Sequence, residues 1–168
     1  PSFTMVGLPS TQVKEAQDRV RTALKNNGIA LPPKRITVNL APADIRKEGA
    51  GFDLPLAAAV LAAAGVLSAE QLGNVMMAGE IGLNGEIHAV SGILPMIIRA
   101  REEKCRFCVV PYDNLKEAHL IPDMKVIGVA DLQEMIRYVS APDSYKKAVE
   151  TGKKSPQENS VDFCEIHG

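Results

Sequence analysis

Residues 54–64 read Leu-Pro-Leu-Ala-Ala-Ala-Val-Leu-Ala-Ala-Ala, with no polar side chain among them. An apolar run of this length, rich in alanine and leucine, reads as a helix, and a helix without a polar face is buried all round. Its alanines let neighbouring backbones come close. Asp53 stands where an N-cap belongs, Pro55 fits the first turn, and Gly65 supplies a stop. Asp53 and Pro55 interrupt the apolar stretch, and its unbroken part falls short of the ~20 residues that span a bilayer. The segment is therefore a core helix that the rest of the chain must enclose. Just before it, Ile36, Val38 and Leu40 alternate with Arg35, Thr37 and Asn39, the pattern of a half-buried strand. Between strand and helix lies a charged, glycine-containing loop over residues 44–52. In many folds such a loop, placed between a strand and a buried helix, carries chemistry.

The other elements are arranged around this frame. Residues 2–8 alternate as a strand, which Pro9 ends. Ser10 is positioned to cap a helix over residues 11–26, with Val13, Ala16, Val20, Ala23 and Leu24 on one stripe and Lys14, Asp18, Arg21 and Lys25 on the opposite face. Ser68 is placed to cap a short turn through Leu72. Residues 75–83 and 86–90 read as two strands joined by Asn84-Gly85, a strong signal for a two-residue hairpin turn. That turn sets Leu83 opposite Glu86, Ile81 opposite His88 and Gly79 opposite Val90. Ser91 stands as a cap for a helix through residues 93–104, followed by a buried strand at 107–110, a short helix at 114–119 and a strand at 125–129. Asp131 and Glu134 have the spacing of a capping box opening a last helix to about residue 139. Strands alternating with helices in this half predict parallel pairing, and the hairpin makes the pairing mixed. Residues 145–150 have some helical character, and residues 151–160 are polar and linker-like.

Composition narrows the function classes. The net charge of −1 disfavours a dedicated polyanion binder, yet residues 1–48 hold eight Lys/Arg against four Asp/Glu. This local excess points to an anionic partner, DNA being the case considered, with Lys14, Arg21, Lys25, Lys34, Arg46 and Lys47 as phosphate contacts. A merely solvated helix face is the plain alternative. Three cysteines in no disulfide pattern, and no basic stretch followed by an apolar run at the start, indicate a cytoplasmic protein with no membrane contact. Cys105 and Cys108 lack a second cysteine pair and read as reduced thiols, with no metal site. The chain opens at Pro1 rather than methionine, which reads as a fragment.

Two glycine patterns suggest phosphate cradles and fail. Gly79, Gly82 and Gly85 fall in a hairpin instead of between a strand and a helix. Gly152-Lys153-Lys154-Ser155 lacks the leading glycine of a P-loop and has a second lysine where the hydroxyl residue belongs. No cofactor is expected in this chain.

The blocks at residues 35–57 and 79–95, with Val6-Gly7-Leu8-Pro9 and the tail Asp162-Phe163-Cys164-Glu165-Ile166, closely resemble the N-terminal part of the Mg-chelatase-like AAA+ ATPases of the YifB/ComM type. The resemblance covers essentially the whole chain. It implies an α/β (α+β) fold, a two-layer sandwich with a mixed sheet like that of the Lon protease domain and of a ribosomal protein domain. It implies a Lon-like domain over residues 1–141 and a linker over 142–168 leading towards an AAA+ module, which would be the domain's partner. ATP and Mg belong to that motor, and the parent is implied to be a hexameric ring ATPase acting on branched DNA in natural transformation. The same likeness raises a Ser/Lys peptidase as the rival. A serine needs a base to take its proton, and a lysine base must be held neutral. Matching the Lon motifs puts Gly51 at the nucleophile position and Leu94 at the base position. Ser91 falls on a glycine of the motif. The expectation is an accessory domain with no catalytic, cofactor-binding or metal-binding residue of its own.

Overall fold

The computed structural model describes residues 2–6, 11–33, 35–39 and 51–150. Strand β1 (Ser2–Val6) pairs in parallel with β2 (Arg35–Asn39), with Phe3 opposite Ile36. They are joined through helix α1 (Thr11–Asn26), whose Ala16, Val20, Ala23 and Leu24 are fully buried, as the stripe predicts. That stripe packs on α2 (Asp53–Ala63), the helix without a polar face, which buries Leu54, Leu56, Ala57, Ala58, Val60 and Leu61. Ser68 caps α3 (Ala69–Leu72) through a reciprocal capping box with Gln71.

A second sheet follows. Strands β3 (Val75–Met77), β6 (Phe107–Pro111) and β7 (Val126–Val129) are all parallel, in the order β3-β6-β7. Their side chains divide by strand alternation. Phe107, Val109, Ile127 and Val129 join the cluster built on α1, α2 and α6 (Leu132–Ser140). Cys108, Val110 and Val126 join a second cluster, with Ile93, Ile97 and Ala100 of α4 (Ile93–Glu102) and Ala118 of α5 (Leu115–Ala118). Helices thus cover both faces of this sheet, which is why residues 107–110 form an unbroken apolar run. The α/β class is as expected. The pairing is mixed but divided into separate ladders, because the antiparallel hairpin β4 (Glu80–Ile81) and β5 (Ile87–His88) forms its own.

The long strand expected over residues 75–83 breaks at Ala78-Gly79, and the hairpin register differs by one residue from expectation. Ile81 faces Ile87 and Glu80 faces His88. The turn is a three-residue loop. Gly85 N–H donates to Gly82 C=O at 2.9 Å, Gly82 N–H donates to Glu86 C=O at 2.9 Å, and Gly85 alone of the loop takes positive φ, at 91°. A two-residue type I′ turn needs positive φ at both central residues, whereas a type I turn closed by a left-handed glycine needs it once. The loop is held from outside, as Asn26 Nδ2 donates to Leu83 C=O at 2.8 Å and Asn27 Nδ2 to Asn84 C=O at 3.0 Å.

Two helix starts also differ. Ser91 does not cap α4; Gly92, at φ 75°, takes that position without a side-chain bond. Asp131 caps α6 as expected, but the Glu134 carboxylate accepts from Ala130 N–H rather than from the cap's own. α6 is followed by α7 (Pro142–Glu150), whose Tyr145 sets its ring edge-on to Tyr138 at 5.1 Å. The boundary after residue 141 stays an expectation, since residues 151–168 lie outside those described.

Replacing Gly85 by alanine forces a Cβ into the left-handed region and against the Asn27 amide. The expected loss is about 1–2 kcal/mol, read as a lower urea midpoint with unchanged slope; an unchanged midpoint would contradict this turn geometry.

Candidate functional site

The end of the loop and the start of α2 are stitched to the segment between β3 and β4. Gly79 N–H donates to Gly51 C=O at 2.8 Å, and Leu54 N–H donates to Gly79 C=O at 3.0 Å. Asp53 does not cap the helix as expected. Phe52 occupies the cap position without a side-chain bond, and Asp53 is the first helical residue, with none of its surface in water. Its Oδ2 accepts from Arg19 Nε at 2.9 Å and from Ile81 N–H at 3.0 Å, and its Oδ1 accepts from Arg19 Nη2 at 2.9 Å. A buried carboxylate is costly unless charge and hydrogen bonds both compensate it. Here a bidentate guanidinium and a backbone amide do so together.

The Arg19 guanidinium is held above its ordinary pKa, first by its hydrogen bond to Asp53; burial pulls the other way and loses. A base with a raised folded-state pKa contributes fully below its unfolded value. On the arginine side the pair is therefore intact throughout the neutral range and is lost as pH rises into strong alkali.

Val90 packs beside the first of the two positions that the peptidase reading depends on. A Cβ on Gly51 would lie 3.6 Å from Val90 Cγ1, an ordinary contact, and Gly51 does not take positive φ. Neither space nor backbone demands glycine there. Val90 is clamped in turn by buried Asn114, whose amide accepts from Val90 N–H and donates to Val90 C=O, both at 3.0 Å. Leu94 is the second residue of α4, half-buried against the cluster under that helix. At these positions the chain offers an unsubstituted backbone and an aliphatic side chain.

The glycines of the hairpin do not fit a phosphate group. Gly79, Gly82 and Gly85 each donate their N–H to a carbonyl of the fold itself. Among the described residues no three His, Cys, Asp or Glu are grouped to hold a metal ion. Among the described residues, then, the hairpin glycines offer no cradle for a phosphate and no side-chain group is arranged for a metal ion. Burial pushes the Cys108 thiol up to about 12, helped by Cys105, so it stays protonated and inert. His88 is exposed, 3.5 Å from Glu86. No described helix is long and apolar enough to cross a membrane.

Of the six cationic candidates, Lys14 and Lys25 are exposed on α1, with exposed Asp18 between them, and Arg21 is half-buried. Lys34, Arg46 and Lys47 lie outside the described residues. Among the described residues, the structure brings together the members on α1. Sequence reading missed Arg19 and Asn114 as site residues. A signal for the first existed: one acid at the head of an otherwise apolar helix requires a partner.

Over residues 1–114 the sequence matches the family described as subunit ChlI of Mg-chelatase. It is similar to the competence protein ComM of Haemophilus influenzae, 40% identical over 100% of this chain and 34% of that protein. YifB of Escherichia coli is 47% identical over 72% of this chain and 24% of its own length. Lon protease 2 of Bacillus subtilis is 27% identical over 75% of this chain and 22% of that protein. The chain spans about a third of the length of ComM.

Removing one partner of the buried pair leaves the other charge stranded. Arg19→Met should cost roughly 3 kcal/mol, the low end for such pairs, because part of the Arg19 side chain remains in water. The double replacement Arg19→Met with Asp53→Leu should recover much of this and leave chiefly the orphaned Ile81 N–H. Chemical denaturation of the three proteins checks both, and equal losses in single and double variants would contradict the pairing.

Proposed function

This chain belongs to the family of the Mg-chelatase subunit ChlI, as a domain of the ComM/YifB type, and on that premise we propose that it is a non-catalytic accessory domain of a Mg-chelatase-like AAA+ ATPase. The observation that carries this reading is the pair Gly51 and Leu94. At the positions where a peptidase of Lon type would hold a nucleophile and a base, the chain has neither a side-chain oxygen nor an amine. Acyl transfer needs both within hydrogen-bond reach. The hairpin glycines, their N–H groups spent internally, support assigning ATP and Mg to the parent's motor rather than to this segment.

The parent on this reading is an ATP-driven machine that remodels DNA, a hexameric ring in the cytoplasm, in line with the name of the competence protein that the chain resembles. The domain's first partner is the AAA+ module of the same protein. DNA contact is the second part of the proposal, favoured by the exposure of Lys14 and Lys25 on one helix. Such contact is made to phosphates, is indifferent to sequence and weakens steeply with salt.

Incubation with unfolded casein and with a serine-reactive fluorophosphonate should give no cleavage and no labelling, and calorimetry with Mg-ATP no saturable heat. Stoichiometric labelling of a serine would instead establish the peptidase reading. On labelled branched DNA at low salt, Lys14→Glu with Lys25→Glu should weaken binding at least severalfold and flatten its salt dependence. Unchanged binding would remove α1 as the DNA contact.

A further inference from the structure

Strand β3 ends its sheet. Asn74 C=O accepts from Arg106 N–H at 2.8 Å, and Ala78 N–H donates to Val109 C=O at 3.1 Å. In a parallel ladder the residues that bond a given neighbour alternate. Asn74, Met76 and Ala78 therefore address β6, and Val75 and Met77 direct their N–H and C=O groups to the other edge. No ladder among the described residues pairs with that edge.

Natural sheet edges are protected by charge, proline, bulges, brevity or cover. From Asn74 to Gly79 there is neither charge nor proline, and the strand is three residues long. The side chains around the edge are apolar on both faces. Val75, Met77, Phe52 and Leu72 are half-buried against the cluster under α2. Met76 faces the cluster under α4. On α4, Arg101 donates to Pro122 C=O on the α5 side, at 3.3 Å. At 100° per residue Met96 lies towards the opposite flank of α4, and it is 39% exposed.

We infer that this edge receives one more β-strand, apolar on both faces, supplied by the part of the parent chain outside these 168 residues. A strand that continues a sheet covered by helices on both faces needs apolar side chains on both, which distinguishes it from a soluble charged peptide. The occupant is assigned to the parent because this chain spans about a third of the relative it matches end to end. The inference rests on the reading that the segment works within a longer protein and not on any motor activity.

The test is amide hydrogen exchange at Val75 and Met77, in the 168-residue chain and in the full-length parent. In the short chain both amides should exchange at least tenfold faster than Met76; in the parent all three should be comparably protected. Met77→Pro deletes an outward N–H but no bond to β6. It should lower the short chain's urea midpoint only by the packing that the Met77 side chain gives up, and return Val75 to fast exchange in the parent. Fast exchange at Val75 and Met77 in the wild-type parent would overturn the inference. So would protection in the short chain that rises with its concentration, which would mark a second copy as the occupant. ATPase activity enters neither readout, so the inference and the proposed function fail separately.

Discussion

Everything near the candidate site is referred to one buried carboxylate. Asp53 sits at the first turn of the apolar helix, takes two bonds from Arg19 of α1 and one from the backbone of β4, and so fixes three elements to one point. A two-stranded hairpin is marginal alone. Here it is tied at one end by Asp53, at its tip by Asn26 and Asn27, and along β5 by Ile87 N–H donating to Ala130 C=O at 2.8 Å. The pair adds little net energy over an apolar substitute. Its consequence is register: only one placement of α1, α2 and β4 satisfies the charge.

This shows what could be read in the sequence and what could not. The helical stripe of α1 and the buried strand at residues 107–110 follow from periodicity and apolar content, which are local properties. Asp53 was misassigned because a carboxylate before an apolar run satisfies the local rule for an N-cap, while its actual partner lies 34 residues earlier. The hairpin register failed for a related reason: Asn-Gly permits two turn geometries, and the choice is made by α1, which holds the loop's carbonyls. Asn114 reads as a helix-starting residue; only the fold shows that both ends of its amide are used on Val90.

The functional reading follows the same division. Gly51 and Leu94 were identified by likeness to the Lon motifs, and the structure adds that Val90 packs beside the Gly51 position. Of the basic residues, those on α1 could be placed by helical periodicity, whereas Lys34, Arg46 and Lys47 lie outside the described residues. Within the proposal, the frame around Gly51 is held by an ion pair and an asparagine clamp that need no catalytic group.

The most direct test of this account is the exchange of the Ile81 amide, the backbone donor to Asp53. If the carboxylate fixes α1, α2 and the hairpin as one unit, Ile81 should exchange only through global unfolding, with the same free energy as amides inside α2 such as Leu61. Exchange of Ile81 through a low-energy local opening, while Leu61 stays protected, would mean that the hairpin moves independently, and would contradict the central role given to Asp53.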